Sequence, residues 1–334
     1  MLLPGPHGTE ATLLAAAQHG DRRAFDALFS ARRAEIRALC YRMLGSPHDA
    51  DDAVQDALVR AWRALPRFDG RSALRTWLHR IAINVCLDAI ARRPRRVLPG
   101  DCAERPTGDV RWLEPFPDVP EEPSQSCPQV RYEHREALEL AFVAALQHLP
   151  PRQRAVFVLR EVLAFSPGEI AAMPATTKAS VNAALQRARA TVDERLPDRS
   201  QQEQMRALGP ARLRELVAQV IDAFERGEVE AILAHLADDA TFSMPPYAAW
   251  YRGHRQLSES WLFPERQPTG LRFVPTRANG QVALGVYKLH PETGRYRPIA
   301  LEVLALRGEL IAEVTSFRDP GCVRAFGLPE ELAA

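Results

Sequence analysis

Eight prolines fall between Pro94 and Pro128, and they divide everything that can be helical in this chain into separate blocks. A proline ring fixes φ and removes an amide donor, so no helix runs through such a stretch. A structureless run of this length does not belong inside one compact core. Residues 96–129 are therefore expected as an interdomain linker, with helical blocks over 10–95 and 130–198 on either side. One part of the linker, RWLEPFPDVPEEP at 111–123, has an unusual composition. A solvated tether has no use for Trp112, Leu113 and Phe116, whose apolar surface is costly to leave in water. With Pro115 and Pro117 stiffening the backbone between them, the segment is expected to dock on a folded block.

Charge is distributed unevenly over the 334 residues. Residues 1–100 carry about six more basic than acidic side chains and residues 101–124 are acidic by about five, although the whole chain has a formal net charge of +1. A polyanion partner and a plain solvated basic face both fit that asymmetry. The five cysteines are scattered without a CxxC pair or metal-ligand spacing, which predicts a reducing compartment, no disulfide framework and no zinc site. Neither an apolar leader nor a membrane-length apolar run is present, so the expectation is a cytoplasmic protein with no membrane partner.

The first block is clearest in SPHDADDAVQDALVRAWRAL. Ser46 suits the cap, Pro47 the first helical position and Asp49 the reciprocal place in a capping box. Ala50, Ala53, Val54, Ala57, Leu58, Ala61, Trp62 and Leu65 recur at three- and four-residue steps and form one apolar face. Asp52, Gln55 and Asp56 fall outside it, either as a solvated acidic face or as a dock for a basic partner helix. The next helix, in RSALRTWLHRIAINVCLDAIARRPRR, buries Leu74, Trp77, Leu78, Ile81, Val85 and Ile90. Arg75, Arg80, Asn84, Arg92, Arg93, Arg95 and Arg96 lie on or beyond its other side. Arginine and asparagine are side chains that pair with phosphates and base edges, which favours nucleic acid as the partner.

The second block has the layout of a helix-turn-helix. One helix is expected over Arg152–Leu163, and a second opens on the capping box Ser166-Pro167-Gly168-Glu169 and runs to Met173. After a turn at 174–176, Thr177 caps a third helix with Val181, Ala184, Leu185, Ala188 and Val192 inward. Lys178, Ser180, Asn182, Gln186, Arg187 and Arg189 point outward. The first of these would reach base edges in a major groove and the arginines would reach phosphates. Helical hairpins in enzymes share this pattern.

From about Arg206 the class changes. A helix with Leu213, Leu216, Val217, Val220, Ile221 and Phe224 inward and a shorter one over EVEAILAHLADD precede five strand-like runs. Asn279-Gly280, Thr293-Gly294 and Arg307-Gly308 supply turns. Helices packed on one face of an antiparallel sheet give an α+β domain over 206–334.

DADDAVQDALVRAW, RFDGRSALRTWLHRIAINVCLD and LREVLAFSPGEIA…VNAALQRAR resemble the region 2 and region 4 signatures of extracytoplasmic-function sigma factors of bacterial RNA polymerase. The last block resembles the SnoaL-like, NTF2-type cone domain fused to a subset of them, and WLEPFPD resembles a linker motif of that subset. The resemblance implies a multidomain chain with two all-α domains followed by an α+β cone. It implies core RNA polymerase and promoter DNA as partners, with no cofactor. Asp52, Gln55 and Asp56 would dock on the polymerase largest subunit. Arg67 and Arg71 of the RFDGRS loop, with Arg75, Arg80 and Asn84, would read and melt the −10 element, where a displaced strand needs cations and base pockets. Trp77 could wedge between bases, but its place on the apolar stripe favours the core. The helix from Lys178 would read the −35 element. One departure is Pro174-Ala175, where the family usually has Leu-Gly; glycine supplies a positive φ that alanine adopts only with strain.

For the third block, His235, Asp238, Asp239, Tyr251, His254, Tyr287 and Glu302 are polar candidates for a pocket, with Met244, Trp250, Trp261 and Phe317 as walls. Nothing in the sequence sets a base within reach of a proton. The expectation is a brace that contacts other parts of the chain, ahead of a small-ligand sensor, and no catalysis. A cyclase- or isomerase-type enzyme fused to a DNA-binding module is the alternative.

Overall fold

The structure is a computed structural model, and it describes residues 10–92, 95–98, 110–118, 136–173, 176–261 and 270–333. In chain order the helices are α1 (Glu10–Gln18), α2 (Arg22–Leu44), α3 (Pro47–Ala64) and α4 (Leu74–Ile90). A short ribbon comes next, β1 (Arg96–Val97) with β2 (Arg111–Trp112), and then α5 (Leu140–Gln147), α6 (Pro151–Phe157), α7 (Pro167–Ala172) and α8 (Lys178–Asp193). The third block comprises α9 (Gln201–Arg226), α10 (Val229–Ala234), β3 (Leu236–Ser243), β4 (Trp250–Arg252), β5 (Leu271–Ala278), β6 (Gln281–His290), β7 (Arg295–Arg307) and β8 (Leu310–Phe317). The chain divides into two compact units. One comprises residues 1–95 and 145–195, the other residues 96–144 and 196–334.

The helices of the first unit are closed at their ends by residues suited to the task. Asp21 accepts from the amides of Arg23 and Ala24 at the start of α2, and Gly45 ends it in the left-handed region at φ 71°. Ser46 Oγ then accepts from the Asp49 amide at 3.2 Å to open α3. These bonds satisfy donors and carbonyls that have no partner inside the helix. α3 buries Ala50, Ala53, Val54, Ala57 and Ala61 as its periodicity predicts. α4 is buried around more of its circumference than the apolar stripe alone requires, since Thr76 and His79 are buried as well. Trp77 is 6 % exposed and packs on Phe68 with ring centres 5.1 Å apart, which is a core position.

α6, α7 and α8 form the helix-turn-helix. α6 is shorter than expected and continues into one π turn over Val158–Val162. The capping box at Ser166 and Glu169 is complete in both directions. Thr177 Oγ1 accepts from the Ser180 amide at 3.1 Å and opens α8, whose Val181, Leu185, Ala188 and Val192 are buried. Pro174 and Ala175 lie outside the described residues.

In the second unit, α9 starts five residues earlier than the sequence pattern suggests, on a second complete capping box from Ser200 and Glu203. It breaks at Gly209, φ 75°, before Pro210, because the ring cannot continue the helical hydrogen bonding. The six-stranded sheet has the order β4-β3-β8-β7-β6-β5. All neighbours are antiparallel except β3 and β8, which run parallel. The expected all-antiparallel sheet is thus a mixed one: the final strand returns beside the first in the same direction. β4, only three residues long, has no counterpart among the expected strands. α10 is shorter than its apolar run, because Leu236–Asp239 already belongs to β3.

Alternation divides the sheet into two buried faces. Phe242, Phe273, Leu284, Leu304 and Val314 join Leu216, Val220 and Phe224 of α9 in one core. Leu301, Val303, Tyr287 and Phe317 face the other way. On that side the C-terminal segment covers the sheet: Tyr287 Oη donates to Pro329 O at 2.7 Å, and Leu328 occupies the space a side chain at residue 285 would need, which explains glycine there.

Candidate nucleic-acid interface and its linker

The outward residues of α3 line one wall of a groove of about 330 Å³, and α4 supplies the other wall. Asp52, Gln55 and Asp56 all border it and are exposed. Asp88 of α4, ion-paired to Arg60 at 2.9 Å, and Arg92 complete it. Sequence reasoning missed Asp88. Its signal was weak: one acid on the otherwise basic side of a helix, which gains meaning only once α4 packs beside α3. The groove can receive a basic partner element.

The candidates for single-strand contact are split. Arg67, Arg71 and Asn84 are exposed and Arg80 is half-buried. Arg71 is folded back onto Asp69, whose carboxyl is held below its ordinary range chiefly by the Arg71 amide. Arg75 is not free. Its guanidinium bonds Glu35 and donates to Leu163 O at 3.1 Å. Arg96 is a clear correction: it is 7 % exposed and donates to Trp112 O at 2.7 Å and to Glu114 at 2.5 Å. The arginine that looked like a donor beyond α4 holds the linker ribbon together. Arg93 lies outside the described residues, and Arg95 is exposed.

On α8, Lys178, Ser180, Asn182, Gln186, Arg187 and Arg189 are all exposed. Arg189 pairs with Glu161 at 2.8 Å. The helix therefore presents the polar first turn and basic later turns that a major-groove reader needs.

The linker is docked. Trp112, Leu113 and Phe116 are 8 %, 0 % and 0 % exposed, and Pro115 is also buried. The Arg96–Arg111 and Val97–Trp112 pairs are parallel, and Leu113 N adds a bond to Val97 O at 2.8 Å. Pro117 bridges to Ala278 at the end of β5, beside the turn that leads into β6. Asn279, in that turn, is the hook. Its Oδ1 accepts from Phe116 N at 2.7 Å, its Nδ2 donates to Leu138 O at 2.7 Å, and its own amide donates to Phe116 O at 2.8 Å. Asp118 accepts from Gly280 N at 2.7 Å and pairs with Arg277 at 3.2 Å. Asn279 holds φ +56°, a conformation asparagine tolerates better than most residues. Farther along, Glu139 accepts from the amides of Gln201 and Gln202 at 2.9 Å each, at the start of α9. Burial raises its carboxyl to about 7 against the pull of those two amides.

The chain matches the Sigma-70 region 2 family over residues 28–96, Sigma-70 region 4 over 139–192 and the SnoaL-like domain over 217–314. It is 40 % identical over 311 residues to the ECF RNA polymerase sigma factor SigG of Mycobacterium tuberculosis, covering 90 % of this chain and 82 % of that one. It is an ECF RNA polymerase sigma factor. The sigma factor is also 30 % identical to the sigma-E factor of Escherichia coli over 190 residues, which are 56 % of this chain and 94 % of that one. Its fold is shared with the crystal structure of the Mycobacterium tuberculosis sigma factor SigJ. That match has a TM-score of 0.60 at 19 % identity and covers 91 % of this chain and 99 % of that one. Among the described residues, no helix is long and apolar enough to cross a membrane.

The sigma factor's third domain does not gather its polar candidates into one site. Asp238 and Asp239 are exposed on β3, and Asp239 pairs with Arg307 at 2.8 Å. His254 bonds Leu236 O at 3.1 Å, and His235 is half-buried, its pKa lowered by that burial. Tyr287 and Phe317 are walls of the opposite sheet face, under the C-terminal segment. Met244, Trp250 and Tyr251 are half-buried, and the side chain of Trp261 lies outside the described residues. Glu302 alone is buried on the helix-facing side, in a cross-strand row with Leu284 and Ser316. Ser316 Oγ donates to it at 3.3 Å, and burial raises its carboxyl to about 7.

Proposed function

We propose that this sigma factor binds core RNA polymerase through the Asp52, Gln55 and Asp56 groove, with Asp88 as an added wall. Arg67, Arg71, Arg75, Arg80 and Asn84 act on the −10 element, and α8 reads the −35 element from Lys178 to Arg189. Domain limits of 10–95, 96–129 and 130–198 serve these tasks. The third domain, which begins at the α9 cap near residue 200, controls activity by holding the linker between the two readers. In this reading the protein works beside polymerase in the cytoplasm.

The observation that carries the control role is the clasp of Phe116 and Asp118 on the Asn279-Gly280 turn. A tether between two readers has no need of three buried apolar side chains and a hydrogen-bonded hook. Ordering such a segment costs roughly 1–2 kcal/mol per residue in backbone entropy, so the bonds and burial that overcome the cost mark a docked element. The third domain is a brace rather than an enzyme or a ligand sensor. What supports this is the dispersal of its polar groups over both sheet faces: Glu302 and Ser316 lie on the helix-facing side and Tyr287 on the opposite one, while Asp238 and Asp239 are exposed.

Run-off transcription with core polymerase tests it, using the full chain and a chain ending at Leu196. Activity from the shorter form alone makes the third domain inhibitory, and activity from the full chain alone makes it a positive brace. Equal activity from both removes the control role.

A further inference from the structure

The loop that joins α3 to α4 carries Arg67 and Arg71, and a helix upstream of it holds its backbone. After one 3-10 turn over Leu65–Arg67, the Phe68 amide donates to Leu65 O at 3.0 Å. The Phe68 ring is buried against Trp77. Beyond it, Asp69 to Arg71 are exposed, Gly70 takes φ 72°, and Asp69 Oδ1 accepts from the Arg71 amide at 3.1 Å. The long-range bond on this backbone comes from α1, where Gln18 Nε2 donates to Phe68 O at 2.7 Å. Leu65 O lies 3.5 Å from the same nitrogen, at the limit of hydrogen bonding, so the bond to Phe68 O is the strong one. Both neighbours are carbonyl oxygens, which sets the side-chain amide with its nitrogen toward the loop.

α1 is itself tied down, so Gln18 has a fixed place. Glu10 at its start pairs with Arg32 of α2 at 2.5 Å. At its end the Gly20 amide donates to Ala17 O at 3.0 Å and the Asp21 amide to Ala16 O at 3.1 Å, with Gly20 at φ 95°. Asp21 then caps α2, and Ala17, next to Gln18, is buried. α1 precedes residues 28–96, the span of the Sigma-70 region 2 match, and lies outside it.

A displaced strand needs cations and base pockets at set positions, and a loop already held in the bound pose spends less entropy on meeting it. Arg67 immediately precedes Phe68 and Arg71 follows soon after, so the anchored carbonyl lies inside the segment that carries both. Without the bond, the buried Phe68 ring still ties the loop to α4. The peptide after Phe68 can then rotate and carry the Asp69–Arg71 turn with it. We propose that Gln18 is a positioning residue for −10 recognition, which sets the pose in which this loop presents Arg67 and Arg71 to the displaced strand. It acts through the Phe68 backbone and touches no base itself. The inference rests on the assignment of the RFDGRS loop to the −10 element.

The test uses the full chain bound to core polymerase, with Gln18→Met and Gln18→Lys. Methionine keeps the length of the side chain and removes the donor, whereas lysine keeps a donor at similar reach. The probes are a single-stranded oligonucleotide of the −10 element from a promoter that the unmodified protein selects, and the same bases scrambled. Gln18→Met should lower the preference for the selected strand by about fivefold or more, the scale of one mismatched base. Core polymerase affinity should stay within twofold, and Gln18→Lys should recover most of the preference. In free protein, the Arg71 amide should exchange hydrogen several-fold faster in Gln18→Met, because its Asp69 turn is no longer anchored. An unchanged preference overturns the proposal, as does unchanged exchange at Arg71. Loss of core affinity along with the preference also overturns it, since the glutamine then serves the fold of the whole unit. If lysine behaves as methionine does, the donor is not what acts and the proposal fails. If the unmodified holoenzyme prefers no strand, the −10 assignment itself fails and this inference falls with it.

Discussion

Asn279→Ala should release the linker while leaving the sheet intact. The substitution removes the partner of Phe116 N and the partner of Leu138 O, and Asn279 itself is 0 % exposed, so water has little access to replace them. A buried polar group left without its bond costs about 1–3 kcal/mol, which gives about 2–6 kcal/mol for the pair. Alanine at φ +56° adds about 1–2 kcal/mol of strain. Part of that total is spent by letting the linker go, and that is the change to measure. Hydrogen exchange at the Phe116 amide reads it directly, because this amide is protected by the lost acceptor. At a factor of ten per 1.4 kcal/mol, protection should fall by at least about thirtyfold. Asn279→Gly removes the same bonds without the strain and should lower protection by a similar factor while costing less global stability. If the Phe116 amide exchanges within threefold of its normal rate in Asn279→Ala, the hook is not what holds the linker. If exchange rises and run-off transcription does not change, the clasp is structural only.

The charged groups set the remaining outcomes. Glu302 has a folded pKa raised to about 7, so the native state binds more protons than the unfolded chain between its ordinary value of 4.5 and that value. Its contribution to stability is fullest below pH 4.5 and falls as pH rises toward 7, by about 1–2 kcal/mol between pH 5.5 and 7.5. Glu302→Gln should flatten that part of the profile in denaturant titrations of the full chain, and an unchanged slope would count against burial as the cause. Reversing Asp52 and Asp56 to lysine should weaken binding to core polymerase about tenfold or more, measured by competition, with unaltered circular dichroism. Arg187→Ala should weaken binding to all promoters alike and reduce the slope of log affinity against log salt by about 1, whereas a base-reading residue such as Asn182 should change the preferred sequence.

Local chemistry made much of the fold legible. Ser46, Ser166, Thr177 and the glycines after helices mark helix ends wherever they occur, because capping is satisfied within a few residues of chain. The apolar steps of α3 and α8 revealed their buried faces for the same reason. Trp112, Leu113 and Phe116 stood out because a large apolar group in an acidic, proline-rich run is a contradiction that only docking resolves.

Features that depend on partners far along the chain were not legible in this way. Arg96 and Arg75 both read as outward donors at the end of the first block. One closes the linker ribbon on Glu114 and the other is occupied by Glu35 and Leu163. Asp88 becomes part of the groove only because α4 lies beside α3. Asn279-Gly280 reads as an ordinary hairpin turn, and its side chain becomes a hook because residues 116 and 138 arrive next to it. The parallel β3–β8 pair depends on where the last strand returns. The sequence alone determined the domain order, the capped helices and the outward residues of α3 and α8, since these rest on interactions between near neighbours. Only the tertiary structure decided which arginines are available and what the linker holds, because burial and hydrogen-bond partners are set by residues brought together across long stretches of chain.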